Sequence, residues 1–186
     1  MAITSRRLTL DEFLALPEES PALEYLDGVV IQKMSPKMFH SQMQTTFVEN
    51  VNLYARPRRM ALAFTELRAT FGGWSPVPDV GVYRWARLPR RPDGKLLADS
   101  RTPWDVAVEV VSPDQSRAEL EEKCRWYCAN GVEIALMIDP DREDVVRFGA
   151  DGTRTELRDT ARIDLDSVLP GFELTPAALF SALYPD

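Results

Sequence analysis

A chain of 186 residues that is 45% hydrophobic can bury one core of ordinary size, so a single domain spanning 1–186 is expected. The formal net charge of −7 argues against a constitutive nucleic-acid binder, because phosphate contacts need clustered lysine and arginine. No apolar run approaches the roughly eighteen residues that span a bilayer, and Met1 to Arg7 lacks an apolar signal core, so the expectation is a cytoplasmic protein with no membrane contact.

Thr9 is a plausible N-cap for a short helix through Leu16, with Asp11 and Glu12 in its first turn and Pro17 ending it. Glu24 to Lys33 alternates loosely around Asp27-Gly28, a hairpin turn pair that predicts two short strands at the sheet edge, with Glu24 an exposed strand acid. Phe39, Met43, Phe47, Val51 and Tyr54 predict an amphipathic helix from Pro36 to near Pro57 that packs on the central sheet. His40, the only histidine, falls one position round from Phe39 and reads as a packing or capping residue.

Met60 to Phe71 reads as a strand pairing with Asp79 to Trp85, Gly72-Gly73 supplying a turn between them. That second strand carries one acid, Asp79, just after Pro78, a residue confined to strand starts and edges. Ala86 to Pro103 has no sustained period and reads as a long loop projecting from beside the site. Arg84 to Arg101 holds six basic residues (Arg84, Arg87, Arg90, Arg91, Lys95, Arg101) against two acids, and Arg56, Arg58 and Arg59 form a second cluster. Such a segment contacts nucleic acid or merely solvates an acidic body.

Asp105 to Pro113 carries the main signal. Val106, Ala107, Val108, Val110 and Val111 predict a strand covered on both faces, and Glu109 sits inside it. An ionised carboxylate buried without a partner costs several kcal/mol, so Glu109 needs a cation, a hydrogen-bond network or a metal. Ser116 to Asn130 predicts a helix closed by Gly131, with Leu120, Cys124, Tyr127 and Cys128 on its apolar stripe and Lys123 bordering it. Asp79, Glu109 and a half-buried Lys123 could therefore meet. The two cysteines, side by side on one helix, read as reduced core thiols, and with His40 they leave too few ligands for structural zinc.

Val132 to Ile138 is a second buried run, expected parallel to the Glu109 strand because a helix connects them. Asp144 to Phe148 and Thr153 to Leu157 flank Asp151-Gly152, a hairpin extending the far edge of the sheet. Thr175-Pro176 opens a last helix to about Leu183.

The order Pro78-Asp79-Val80, Val108-Glu109-Val110-Val111-Ser112-Pro113, Lys123 and Tyr127, Gly131-Val132 and Ile138-Asp139-Pro140 resembles the Uma-two family of restriction-endonuclease-like proteins, a branch of the PD-(D/E)XK nuclease superfamily. Leu23 to Gly28, and Met34-Ser-Pro36 followed by His40, resemble that family's opening motifs, and the likeness runs from about Leu8 to Leu174. It implies an α/β fold with a restriction-endonuclease-like core, a mixed central β-sheet flanked by helices. The superfamily places a lysine two residues after the glutamate, where this chain has Val111; in the Uma-two branch the lysine stands on the following helix, as Lys123 does. Glu119 replaces the Asp usual four residues before that lysine.

The resemblance implies a Mg²⁺- or Mn²⁺-dependent endonuclease acting on DNA, with Asp79, Glu109 and the Val110 carbonyl as hard oxygen ligands and Glu24 completing the shell. Lys123 would hold and polarise the attacking water, with its pKa lowered if burial dominates. His40 and Glu119 would be accessory, and Arg84, Arg87, Arg90, Arg91 and Lys95 would contact nucleic acid. Superfamily analogy adds a homodimer. The alternative is a non-catalytic DNA- or protein-binding domain that keeps the fold.

Overall fold

The structure, a computed structural model, describes residues 3–113 and 115–185. Met1 and Ala2, part of the segment read for a signal core, lie outside the described residues. In chain order the elements are β1 (Ile3–Arg7), α1 (Leu10–Leu14), β2 (Leu23–Leu26), β3 (Val29–Gln32), α2 (Met38–Ala55), β4 (Ala61–Thr65), β5 (Val80–Arg84), β6 (Val106–Val110), α3 (Arg117–Ala129), β7 (Ile134–Asp139), β8 (Asp144–Gly149), β9 (Arg154–Arg158) and α4 (Pro176–Phe180). Thr9 caps α1 through a reciprocal capping box with Glu12.

A six-stranded sheet in the order β4-β5-β6-β7-β8-β9 forms the centre. All its neighbours are antiparallel except β6 and β7, which run parallel because α3 carries the chain across between them. Strand alternation sorts the two faces. Val80, Val82, Val106, Val108 and Val110 pack with Met43, Phe47 and Val51 of α2 and with the tail residues Leu169 and Phe180. Ala107, Ala135 and Met137 face Leu120, Cys124 and Tyr127 of α3, joined by Trp104 and Phe71. Glu109 shares this second parity, so the same alternation that builds the core aims its carboxylate towards α3. Cys124 and Cys128 are both free, Cys124 buried.

The β2–β3 hairpin forms as its turn pair predicts, with Asp27 and Gly28 both at positive φ. It does not join the edge of the central sheet. With β1, which the sequence reading missed, it makes a separate three-stranded sheet, tied to the body by main-chain bonds between Tyr25 and Ser75. The Met60 to Phe71 strand is shorter than expected, pairing with β5 only over Ala61–Thr65. Among the described residues no helix is long and apolar enough to cross a membrane.

Candidate active site

The register of β5 against β6 pairs Val80 with Val108, which brings Asp79, just before β5, and Glu109, near the end of β6, together at one end of two central strands. Both are 2% exposed. Asp79 is saturated with donors: Lys33 Nζ at 2.7 Å and His40 Nε2 at 3.1 Å reach Oδ1, and the Val110 amide donates to Oδ2 at 2.7 Å. Gln44 adds a longer bond from α2, to Asp79 Oδ1 at 3.4 Å. Burial works to raise the Asp79 pKa, but the Lys33 charge and the His40 hydrogen bond outweigh it and hold the carboxyl well below the usual range. Because an ionised carboxylate only accepts, His40 Nε2 is the donor to Asp79, and its Nδ1 lies 3.0 Å from the Ser112 hydroxyl.

Glu109 has a different set of partners. Lys123 Nζ lies 3.0 Å from its Oε1 and the Tyr127 hydroxyl donates to the same atom at 2.6 Å. Lys123 and Tyr127 reach one carboxylate because four residues on a helix return to the same face. Burial raises the Glu109 pKa, Lys123 opposes this, and the nearby Asp79 charge adds to it. Lys123 also donates to Glu24 at 2.9 and 3.0 Å. Glu24 is therefore not the exposed strand acid its alternation suggested; it is buried and accepts the Val77 amide at 2.6 Å. For Lys123, burial does not dominate. Burial pulls its pKa down, but Glu109 and Glu24 raise it well above the ordinary lysine value, so it stands in the site as a fixed cation.

These groups line a cavity of about 450 Å³ that also takes in Ser112, Glu119 and Trp126. The structure thus brings Glu24, His40, Asp79, Glu109 and Lys123 together. Val110 joins the cluster through its amide, which donates to Asp79 Oδ2. Glu119 is exposed at the rim. The five basic residues proposed for nucleic acid do not line the cavity; of the long loop, Ala98 and Asp99 line a second pocket together with Leu23 and Val77. Arg84 lies at the other end of β5 from Asp79, about 16 Å away at strand rise. There Arg84 and Arg87 are both committed to the buried carboxylate of Asp105. Arg90 lies over the Trp85 ring and Arg91 pairs with Asp93; Lys95 is exposed.

Lys33 is the residue the sequence did not yield. A lone lysine after a short edge strand reads as solvated, and only the packing of the separate hairpin against Val77 turns it inward, where it also donates to the Val77 carbonyl at 2.9 Å. The Tyr127 hydroxyl was hidden for a related reason, since helical spacing marks a buried ring without saying what its oxygen meets.

Among the described residues no three His, Cys, Asp or Glu side chains form a metal-holding group; the two lysines occupy the space beside the carboxylate oxygens. The donor set itself, three carboxylates and no soft ligand, fits a hard divalent ion.

The mixed central sheet flanked by helices, with acids and lysines converging at one end of two central strands, is an α/β fold of the kind found in a putative nuclease. The chain belongs to the Uma2 family, described as putative restriction endonuclease, whose family model matches residues 10–177. A crystal structure of a putative nuclease belonging to DUF820 from Anabaena variabilis ATCC 29413 superposes with a TM-score of 0.91 at 36% identity, covering 95% of this chain and 99% of that one. No curated protein matches. Family and structural likeness together support a nuclease function.

Proposed function

We propose that the protein is a Mg²⁺- or Mn²⁺-dependent endonuclease that hydrolyses phosphodiester bonds in DNA at the Asp79–Glu109 pair. The observation that carries this reading is the meeting of two acids from adjacent strands with two buried lysines in one cavity. Asp79 and Glu109 would hold the ion, with Glu24 as a further ligand once Lys123 turns away from it. A divalent ion there supplies Lewis-acid charge against the phosphate. Lys33 and Lys123, held as cations by the carboxylates around them, act as donors to the charge that grows on the phosphate oxygens. His40 orients Asp79 and is itself oriented by Ser112. A homodimer, which superfamily analogy adds, would present two such sites.

Purified protein with Mn²⁺ should cleave DNA, and Glu109→Gln or Asp79→Asn should reduce the rate at least about hundredfold with an unchanged circular dichroism spectrum. Undiminished cleavage by the double variant would assign the activity to a contaminant. Lys123→Met should lower turnover more than it weakens Mn²⁺ binding by calorimetry.

One observation favours a second reading. Each of the three buried carboxylates, Glu24, Asp79 and Glu109, already has a lysine as partner, so the cluster is stable as it stands and would suit a non-catalytic DNA- or protein-binding domain. Absence of Mn²⁺ binding at millimolar concentration would select it.

A further inference from the structure

The walls of the cavity are unlike its floor. Trp74 and Trp126 stack at 3.9 Å between centroids and 4° between planes, and both line it while remaining half-buried. Leu26, Val29, Ile31 and Met34 of the β2–β3 hairpin also line it, none of them fully buried. Trp74 is held there by a dedicated turn: Phe71 and Trp74 exchange main-chain hydrogen bonds across Gly72 and Gly73, both at positive φ. A Cβ on Gly72 would come within 2.5 Å of the Asn130 side chain and 3.0 Å of Trp126, so the turn admits no side chain where it meets α3. The Trp126 ring is braced by Phe71 and Tyr127, whereas Trp74 makes ring contact only with Trp126 among the described residues.

Size and charge narrow the occupant. A volume of about 450 Å³ suits a compact ligand such as one nucleotide, and a duplex whose major groove alone is about 12 Å wide cannot enter it. The acids on the floor are 2% exposed, so a phosphate reaches them only by leaving the duplex surface. The lining holds no arginine, and its lysines lie on the floor, leaving no basic track along which an intact duplex backbone could lie. Aromatic faces of this kind stack bases whatever the sequence.

We propose that the cavity binds one unpaired nucleotide of a DNA strand, its base lodged between Trp74 and the apolar hairpin wall and its phosphate above Lys33 and Lys123. This rests on the nuclease reading and specifies its substrate as single-stranded, flapped or flipped-out DNA. The test is binding of short fluorescent oligothymidylate and of a blunt duplex of equal length in EDTA, with tryptophan quenching as a second signal. The single strand should bind about tenfold tighter or more, and Trp74→Ala should remove about tenfold of that affinity while leaving duplex binding unchanged. Trp74→Phe should restore most of it, which keeps the test valid if the alanine variant folds poorly. Equal binding of strand and duplex, equal loss on both in Trp74→Ala, or tighter binding of the ribo-oligomer would overturn the proposal. Hydrolysis of bis(p-nitrophenyl) phosphate with Mn²⁺, which needs no base shelf, separates the two ideas. Hydrolysis without strand preference sinks only this inference, whereas strand preference with no hydrolysis sinks the catalytic reading and upholds the binding site.

Discussion

Asp79 shows how a buried acid is kept charged, and the cost of that arrangement is visible in its pH dependence. Its folded pKa lies below the ordinary 3.8, against the pull of burial, because Lys33 and His40 favour the carboxylate. The unfolded chain therefore takes up this proton before the folded one does. Stability from Asp79 is complete above the ordinary value and drains away as pH falls through it towards the folded value. Thermal melts of wild type and Asp79→Asn should show the wild type ahead by about 2–3 kcal/mol near pH 6, with the gap narrowing towards about pH 3. A gap that stays constant across that range would mean that Asp79 titrates normally. For the neighbouring acid, part was legible from residues alone: Glu109 inside Val106 to Val111 needed a cation, a hydrogen-bond network or a metal, and Lys123 bordered the apolar stripe of the next helix. Lys33 was not legible, because its inward turn depends on contacts with Val77, more than forty positions along the chain.

At the level of elements, local patterns were dependable and sheet membership was not. Asp27-Gly28 marked a hairpin, yet nothing in Leu23 to Gln32 says which sheet it joins, since strand pairing is a long-range choice. The parallel β6–β7 pair was foreseeable because a helix separates two buried runs. Asp79 and Arg84 flank opposite ends of β5, which puts Arg84 and Arg87 on Asp105 rather than in the cavity. The β5–α3 layer contains its own test. Gly81 has room for no side chain, because a Cβ there would lie 2.6 Å from the indole nitrogen of Trp104, a fully buried ring packed edge-on against Tyr127 and Phe71. Gly81→Ala should cost about 1–3 kcal/mol in a urea titration, since a rigid ring bordered by the backbone has nowhere to retreat. An unchanged midpoint would show that the aromatic layer is looser than its packing implies. Because Trp104 packs against Tyr127, which donates to Glu109, activity should fall together with the fold.

For the whole molecule, charge decides how DNA is approached. With a net charge of −7 the protein repels a polyanion at long range. Two modes of binding would overcome this, and they differ in their dependence on salt. If the exposed basic segment from Arg90 to Lys95 led by tracking a duplex, several phosphates would be neutralised and log K would fall steeply with log salt, by about 0.9 per contact. If one strand enters the cavity and only Lys33 and Lys123 meet its phosphate, the slope is about 0.7 per contact, or about 1.4 in all. Arg84 and Arg87 add little to either mode, because releasing them would leave Asp105 buried and unpaired. The expected slope for oligothymidylate is therefore shallow, below about 2, and unchanged in an Arg90→Ala, Arg91→Ala, Lys95→Ala variant. A slope of about 4 or more that collapses in that triple variant would transfer recognition from the cavity to the loop. Stacking on Trp74 carries no counterion release, so the binding that survives at high salt is the share the aromatic wall contributes.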